Sequence, residues 1–286
     1  MISFAYKDDV DFAEATNAES IDLLSSGISV VELENYPNLQ RIRISKCNNL
    51  RRVHLSHMHN LQVVDLLDNK YLQSVIFDDC PNVITVDAGY CYSLAKLTGI
   101  GSVEYLSVPC SYSLELEPIP NIVFLDVSQL SEINIANIIS ECQHLECLVC
   151  SEDSSLKLSE ITKNHSLEIL HTNTLECDSI DQGTKLKIII FDDCSDYKDS
   201  VQGNISLLDN FYVTSFESTN KDLNDFKMFD DVNFKYRSYQ KMLYGPWGVP
   251  DVDKLPPVQI KGPVIEPPKE IDQDKAADAI IGSIFA

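Results

Sequence analysis

Positive charge is scarce in this chain. It carries 22 Lys and Arg against 44 Asp and Glu, a formal net charge of −22. Proteins that hold a phosphate backbone concentrate Lys and Arg, so this balance argues against nucleic acid as a partner. It favours a partner surface of opposite sign. Long apolar runs are missing as well. The best candidate, Leu186–Phe191, is interrupted by Lys187, far short of the about 18 residues a membrane helix needs. The first ten residues, MISFAYKDDV, have neither the basic start nor the apolar stretch of a secretion signal. Nine cysteines, an odd number, form no short disulfide framework and read as reduced thiols of a cytoplasmic or nuclear setting. The sequons at Asn164 and Asn204 are then chance matches. G-x-x-x-x-G-K-[ST], G-x-S-x-G and H-E-x-x-H are all missing, and Gly99-Ile-Gly101 alone is no phosphate loop. The motifs therefore supply no catalytic residue, no cofactor and no enzyme class.

What the chain does have is a repeat. Starting at Ile28, a large aliphatic recurs every 11 residues at Leu39, Leu50, Leu61, Leu72, Val83 and Leu94. An apolar residue follows each landmark at +3 and usually another at +5, as in Leu39, Ile42 and Ile44 or Leu61, Val64 and Leu66. Alternating aliphatics at the end of such a unit specify a short strand with one buried face. Eleven residues cannot hold a strand, a helix and two turns, but two units make a 22-residue coil with extended chain on both sides.

The stretch NLQRIRISKCNNLRRVHL resembles a leucine-rich repeat, L-x-x-L-x-L-x-x-C/N-x-L, with Leu39, Ile42, Ile44, Cys47 and Leu50 in the pattern positions. It is most similar to the short cysteine-bearing variety. The Cys/Asn position is filled by Cys47, Asn69, Cys80, Cys91 and Cys194 and departs at Met58. The resemblance implies an α/β solenoid, a horseshoe with a parallel concave sheet and a mostly extended or short-helical convex side. Residues 133–144 and 158–166 have helix-like spacing and each precedes a strand, and the resemblance implies that helical segments lie on the convex side. Counting back from Leu145 then gives concave strands near Ile122, Val103, Val83, Leu61 and Leu39, and counting forward gives Leu167, Leu186 and Leu208. The expected organisation is an N-terminal cap over 1–27, the solenoid over 28–216, an aromatic-rich cap over 217–248 and a Pro-rich extended tail over 249–286 that can end in a short helix. Seven aromatics fall in 221–247 and seven of the twelve prolines in 246–268.

Several clusters invite a chemical reading that the repeat explains more economically. Cys142, His144, Cys147 and Cys150 contain enough soft ligands for zinc, yet Leu145, Leu148 and Cys150 already occupy buried strand positions. His54, His57 and His59 read as a solvated strand face and its turn. Asp78-Asp79 and Asp192-Asp193 lack the spaced ligands of a calcium loop, and both lie in the string IFDDC, which recurs at one phase of the repeat. Asp231-Val-Asn-Phe234 holds the V-x-F of a phosphatase-docking motif without its basic residue. No metal site is expected.

The concave face carries the functional expectation. Its outward positions at +2 include Arg41, Val63, Tyr105, Phe124, Ile169 and Ile188, a largely apolar stripe. Those at +4 include Arg43, Asp65, Asp87, Asp126, His171 and Tyr212, which bring an acidic line beside it. A contiguous apolar stripe in solvent marks a binding site. The sequence thus points to a non-enzymatic scaffold or adaptor for a protein with basic and apolar surface, with no membrane partner. The alternatives are a structural subunit of a large complex or a regulatory subunit of an enzyme such as a phosphatase or ubiquitin ligase.

Overall fold

The structure is a computed structural model that describes residues 2–5, 11–117, 119–130, 135–150, 156–191 and 200–215. The expectations for 217–248, 249–286, Asp192-Asp193, Cys194 and Asp231–Phe234 lie outside these residues. The chain divides into two compact units, Met1–Cys150 and Ser151–Ala286.

The first unit is a parallel-strand solenoid. Its strands are β1 (Ile2–Ala5), β2 (Ser20–Leu24), β3 (Val30–Glu34), β4 (Arg41–Ser45), β5 (Arg52–Ser56), β6 (Val63–Asp65), β7 (Ser74–Asp78), β8 (Thr85–Asp87), β9 (Lys96–Thr98), β10 (Tyr105–Ser107), β11 (Phe124–Asp126) and β12 (Cys147–Cys150). They alternate between a larger sheet in the order β1-β2-β4-β6-β8-β10-β11-β12 and a smaller sheet in the order β3-β5-β7-β9. Each 22-residue coil therefore gives one strand to each sheet, as two interleaved series of 11 require. The landmarks Leu39, Leu50, Leu61, Leu72, Val83 and Leu94 all show 0% exposure. Each strand of the larger sheet from β4 to β12 begins two residues after its landmark, at Arg41, Val63, Thr85, Tyr105, Phe124 and Cys147. The ladder also reaches into the expected cap, where Ile21 and Leu23 stand opposite Ile42 and Ile44.

The inward aliphatics of both sheets meet between them and form the core. Fully burying one such side chain contributes about 1.5–3 kcal/mol. At the strand exits the backbone turns through the left-handed region. Ser25, Lys46, Asp68, Tyr90, Cys110 and Gln129 do so after the larger sheet, and Asn35, His57 and Asp79 after the smaller. Most residues resist that conformation. Here it aims amides at the next coil: Lys46 N donates to Leu67 O at 3.2 Å, Asp68 N to Gly89 O at 2.8 Å and Tyr90 N to Pro109 O at 3.1 Å. Gly99 closes the smaller-sheet series with φ +81°, and a Cβ there would collide with the Phe77 carbonyl.

The Cys/Asn position bonds the other way, one coil back. The Cys80 thiol donates to Leu55 O at 3.4 Å and the Cys91 thiol to Leu66 O at 3.3 Å. Asn69 does more: its amide donates to Ile44 O at 2.6 Å and Leu66 O at 2.7 Å and accepts from Cys47 N at 2.8 Å. At the corner that leads into the larger sheet, Asn60, Asn82 and Asn121 reach Pro37 O, His59 O and Gly101 O.

After β9 the coil shortens. Tyr105 and Phe124, register partners, lie 19 residues apart. No smaller-sheet strand forms here among the described residues. Helix α1 (Ile135–Glu141) leads into β12, within the segment whose spacing predicts it.

The second unit repeats the plan. It contains β13 (Leu156–Lys157), the single helical turn α2 (Leu158–Ile161), β14 (Ile169–Thr172), β15 (Leu175–Cys177), β16 (Ile188–Phe191), β17 (Val201–Gly203) and β18 (Tyr212–Ser215). Strands β14, β16 and β18 form one parallel sheet and β13, β15 and β17 another. The last strand corrects the expected register. Counting from Leu208 puts Asn210 at +2 and Tyr212 at +4, but Tyr212 pairs with Ile188. A 3-10 helix over Ile205–Asn210 takes up the extra residues. Between the two units, the string IFDDC starts once in the smaller sheet, at Ile76, and once in the β14-β16-β18 sheet, at Ile190, with the Phe of each copy buried.

Asn69 gives the sharpest test of the corner bonds. Asn69→Ala should lower unfolding stability by about 2–3 kcal/mol in urea, since it strands buried backbone groups. Asn69→Cys should lower it by about half as much, because a thiol fills this slot in neighbouring coils.

Candidate functional site

The larger sheet of the first unit sets two columns of outward side chains at strand spacing, about 4.8 Å. One runs Ser20, Arg41, Val63, Thr85, Tyr105, Phe124 and Cys147. The other runs Asp22, Arg43, Asp65, Asp87, Ser107, Asp126 and Val149. The first column mixes Ser20, Arg41 and Thr85 with its apolar members, and in the second Arg43 and Ser107 interrupt the aspartates, with Asp22 at the start. Like charges directly across strands repel, and the column answers this in two ways. Arg43 forks onto Asp22, with Nε 2.8 Å from Oδ1 and Nη2 on Oδ2, and that bond raises its own pKa. Each later aspartate accepts from the amide two residues on: Asp65 from Leu67 at 3.0 Å, Asp87 from Gly89 at 2.8 Å and Asp126 from Ser128 at 3.0 Å. The same carboxylates therefore close the turns that leave the strands.

The face is less open than strand alternation implies. Asp65 is 3% exposed, Asp87 1%, and Val63, Thr85 and Phe124 are buried. In-register stacking presses each side chain flank to flank against its neighbours, and Phe124 stands between Tyr105 and Cys147. Arg41, Arg43, Tyr105, Ser107 and Asp126 keep partial exposure. Phe124 is therefore a packing residue and not the open ring that its outward position suggests. Burial is also the main cause of the Asp65 shift. It pushes the carboxyl up from 3.8 to about 7, Asp87 adds to it, and the Leu67 amide and Arg43 oppose it. Thr85 Oγ1 lies buried without a hydrogen-bond partner.

In the second unit Ile169 and Ile188 share one column with Tyr212, and His171 the next with Ile190. Ile169, His171, Ile188 and Ile190 are buried, so these too are less open than their outward positions suggest.

The chemically suggestive clusters resolve into repeat positions. His57 Nδ1 lies 3.8 Å from Glu34 and His59 Nε2 3.3 Å from Asp79, all exposed. Cys142, Cys147 and Cys150 are buried. Burial pushes the Cys91 thiol up to about 12 and Cys177 up to about 11, with Cys47, Cys80 and Cys142 moved the same way. These thiols stay protonated and non-nucleophilic near neutral pH. Among the described residues no group of three or more His, Cys, Asp or Glu could hold a metal ion, and no helix is long and apolar enough to cross a membrane. Asn164 of the first sequon is buried, its side chain accepting from Ser166 N and Leu167 N.

One surface escaped the periodicity. Tyr71, Tyr90, Tyr92 and Tyr112 are large exposed side chains at the corner where larger-sheet strands end. The legible signal is that Tyr92 and Tyr112 each follow a residue at the Cys/Asn position, Cys91 and Ser111. Among proteins already characterised, no family model matches the chain and no curated protein matches it.

Two substitutions probe the face. Phe124→Ala should cost about 3 kcal/mol in chemical denaturation, as for other buried rings. For Asp65, the folded pKa lies above the unfolded one, so the unfolded state ionises first. Its penalty grows as pH rises from about 4 to about 7 and persists above that. Asp65→Asn should therefore stabilise the chain at pH 8, by at most about 4 kcal/mol at about 1.4 kcal/mol per pKa unit, and leave it unchanged near pH 3.5, read by thermal melts across pH.

Proposed function

We propose that this chain is a non-enzymatic scaffold of the leucine-rich-repeat kind that binds a protein through the outer face of its larger sheet. The observation that carries the reading is the in-register column Asp22, Arg43, Asp65, Asp87, Ser107, Asp126. It holds four carboxylates and one guanidinium, beside a second column with Tyr105 partly exposed. A partner's Lys or Arg set near the accessible end, at Asp126, meets a charge row already fixed by the backbone. No side chain entropy is then spent on ordering it. Tyr105 supplies a rigid ring of the type enriched in binding hot spots. The leucine-rich-repeat assignment is supported by the Leu39, Ile42, Ile44, Cys47 pattern and by a Cys or Asn that bonds the previous coil. Extended chain in both 11-residue series, with little helix, fits its short varieties. The setting that suits buried reduced thiols is the cytoplasm or nucleus.

The test is capture of partners by the full chain, read by mass spectrometry. The variant Tyr105→Ala with Asp126→Asn should retain less than about a tenth of the captured basic partner, since truncating a hot spot costs at least about 2 kcal/mol. Its melting temperature should stay within a few degrees. Capture should also weaken as salt rises. Undiminished capture by the variant overturns the reading.

A further inference from the structure

The tyrosines at the strand-exit corner belong to neither the core nor the sheet face. In the corner position after the Cys/Asn residue the first unit carries Asn48, Lys70, Tyr92 and Tyr112 in successive coils. Nothing in the repeat demands a ring there, since Asn48 and Lys70 serve equally and both are exposed. Yet Tyr92 and Tyr112 lie with ring centroids 6.0 Å apart and planes 10° apart, and Tyr90 meets Tyr92 edge-on at 6.4 Å. Tyr90 and Tyr112 are 51% and 47% exposed. Tyr90 is further held in the left-handed region at φ +58° by its amide bond to Pro109 O, a backbone conformation disfavoured for a bulky residue. Three rings are thus kept in solvent by an intercoil ladder that would hold as well with polar side chains.

We infer that the Tyr90, Tyr92 and Tyr112 cluster is a docking surface for an arginine-bearing segment of a basic partner protein. Two observations select that chemistry. The chain itself places a guanidinium on a tyrosine at this edge: Arg51 Cζ sits 4.7 Å from the Tyr71 ring centroid, the geometry of a cation–π contact. The long-range field is acidic. Asp68 precedes Tyr90 in the same corner column, with the Lys70 ammonium 4.0 Å from its carboxylate, and beyond that local pair the whole chain carries −22. That charge disfavours a second copy of this chain, a nucleic acid or an anionic lipid on the patch. Guanidinium, flat and weakly hydrated, stacks on rings where ammonium does so less well. The surface is separate from the sheet face and can be tested apart from it.

The experiment titrates the full chain by calorimetry at about 150 mM salt, near physiological ionic strength. The probes are a ten-residue peptide of alternating Gly and Arg and its Gly-Lys counterpart. The Arg peptide should bind several-fold tighter than the Lys peptide. The variant Tyr92→Ser with Tyr112→Ser should weaken Arg-peptide binding by about tenfold, the effect expected from two exposed cation–π contacts. Both side chains are exposed, so its melting temperature should match the parent's. The sheet-face variant Tyr105→Ala with Asp126→Asn should keep the several-fold preference for the Arg over the Lys peptide, since a carboxylate row attracts both cations and the preference belongs to the rings. Equal affinity for the two peptides, undiminished binding by the serine variant, or no binding at all overturns the inference. A loss confined to the sheet-face variant assigns basic peptides to that face instead.

Discussion

Each coil of this protein has to hand its backbone groups to the next, and the corners are where that is hardest. Within the strands a parallel ladder does it without special residues. At the exits the chain reverses direction, and amides would be left pointing at the core or at nothing. Putting Lys46, Asp68 and Tyr90 into the left-handed region aims their amides at carbonyls one coil on. Asn69 and the thiols of Cys80 and Cys91 answer carbonyls one coil back. A strained dihedral costs on the order of 1 kcal/mol, while an unmet buried polar group costs about 1–3 kcal/mol, so the strained corner is the more stable choice. Because both kinds of bond recur coil after coil, side chains of successive strands must stack in register.

That stacking produces the outward columns and their electrostatic tension. An aspartate that closes its turn through the amide two residues on is useful in every coil, so Asp65, Asp87 and Asp126 recur. Register then brings Asp65 and Asp87 side by side with little water. Arg43 already grips Asp22 on the other side. The local turn and the long-range charge balance pull in opposite directions, and a raised Asp65 pKa records the compromise.

The sequence announced the strands through Leu39, Leu61 and Val83, since an aliphatic every 11 residues leaves almost no freedom in where a coil folds back. It announced the outward columns too, because alternation fixes which side chain faces which way. It was silent on how much of that face is open. Exposure depends on what stands beside a residue in the next coil, so Phe124 and Asp87 look solvent-facing in one dimension and are buried in three. The slip at Tyr212 has a similar origin: a 3-10 helix over Ile205–Asn210 changes the residue count of a corner without changing its apolar spacing. The corner tyrosines carry no apolar period, because they stand between its landmarks.

The thiols at the Cys/Asn position carry one more consequence. Cys47, Cys80 and Cys91 are buried, and the donors of Cys80 and Cys91 are committed to carbonyls about one turn earlier. An alkylating reagent can reach each sulfur only after the two adjoining turns separate. Their individual labelling rates would therefore time the parting of successive turns along the solenoid, an intrinsic set of clocks that needs no added probe.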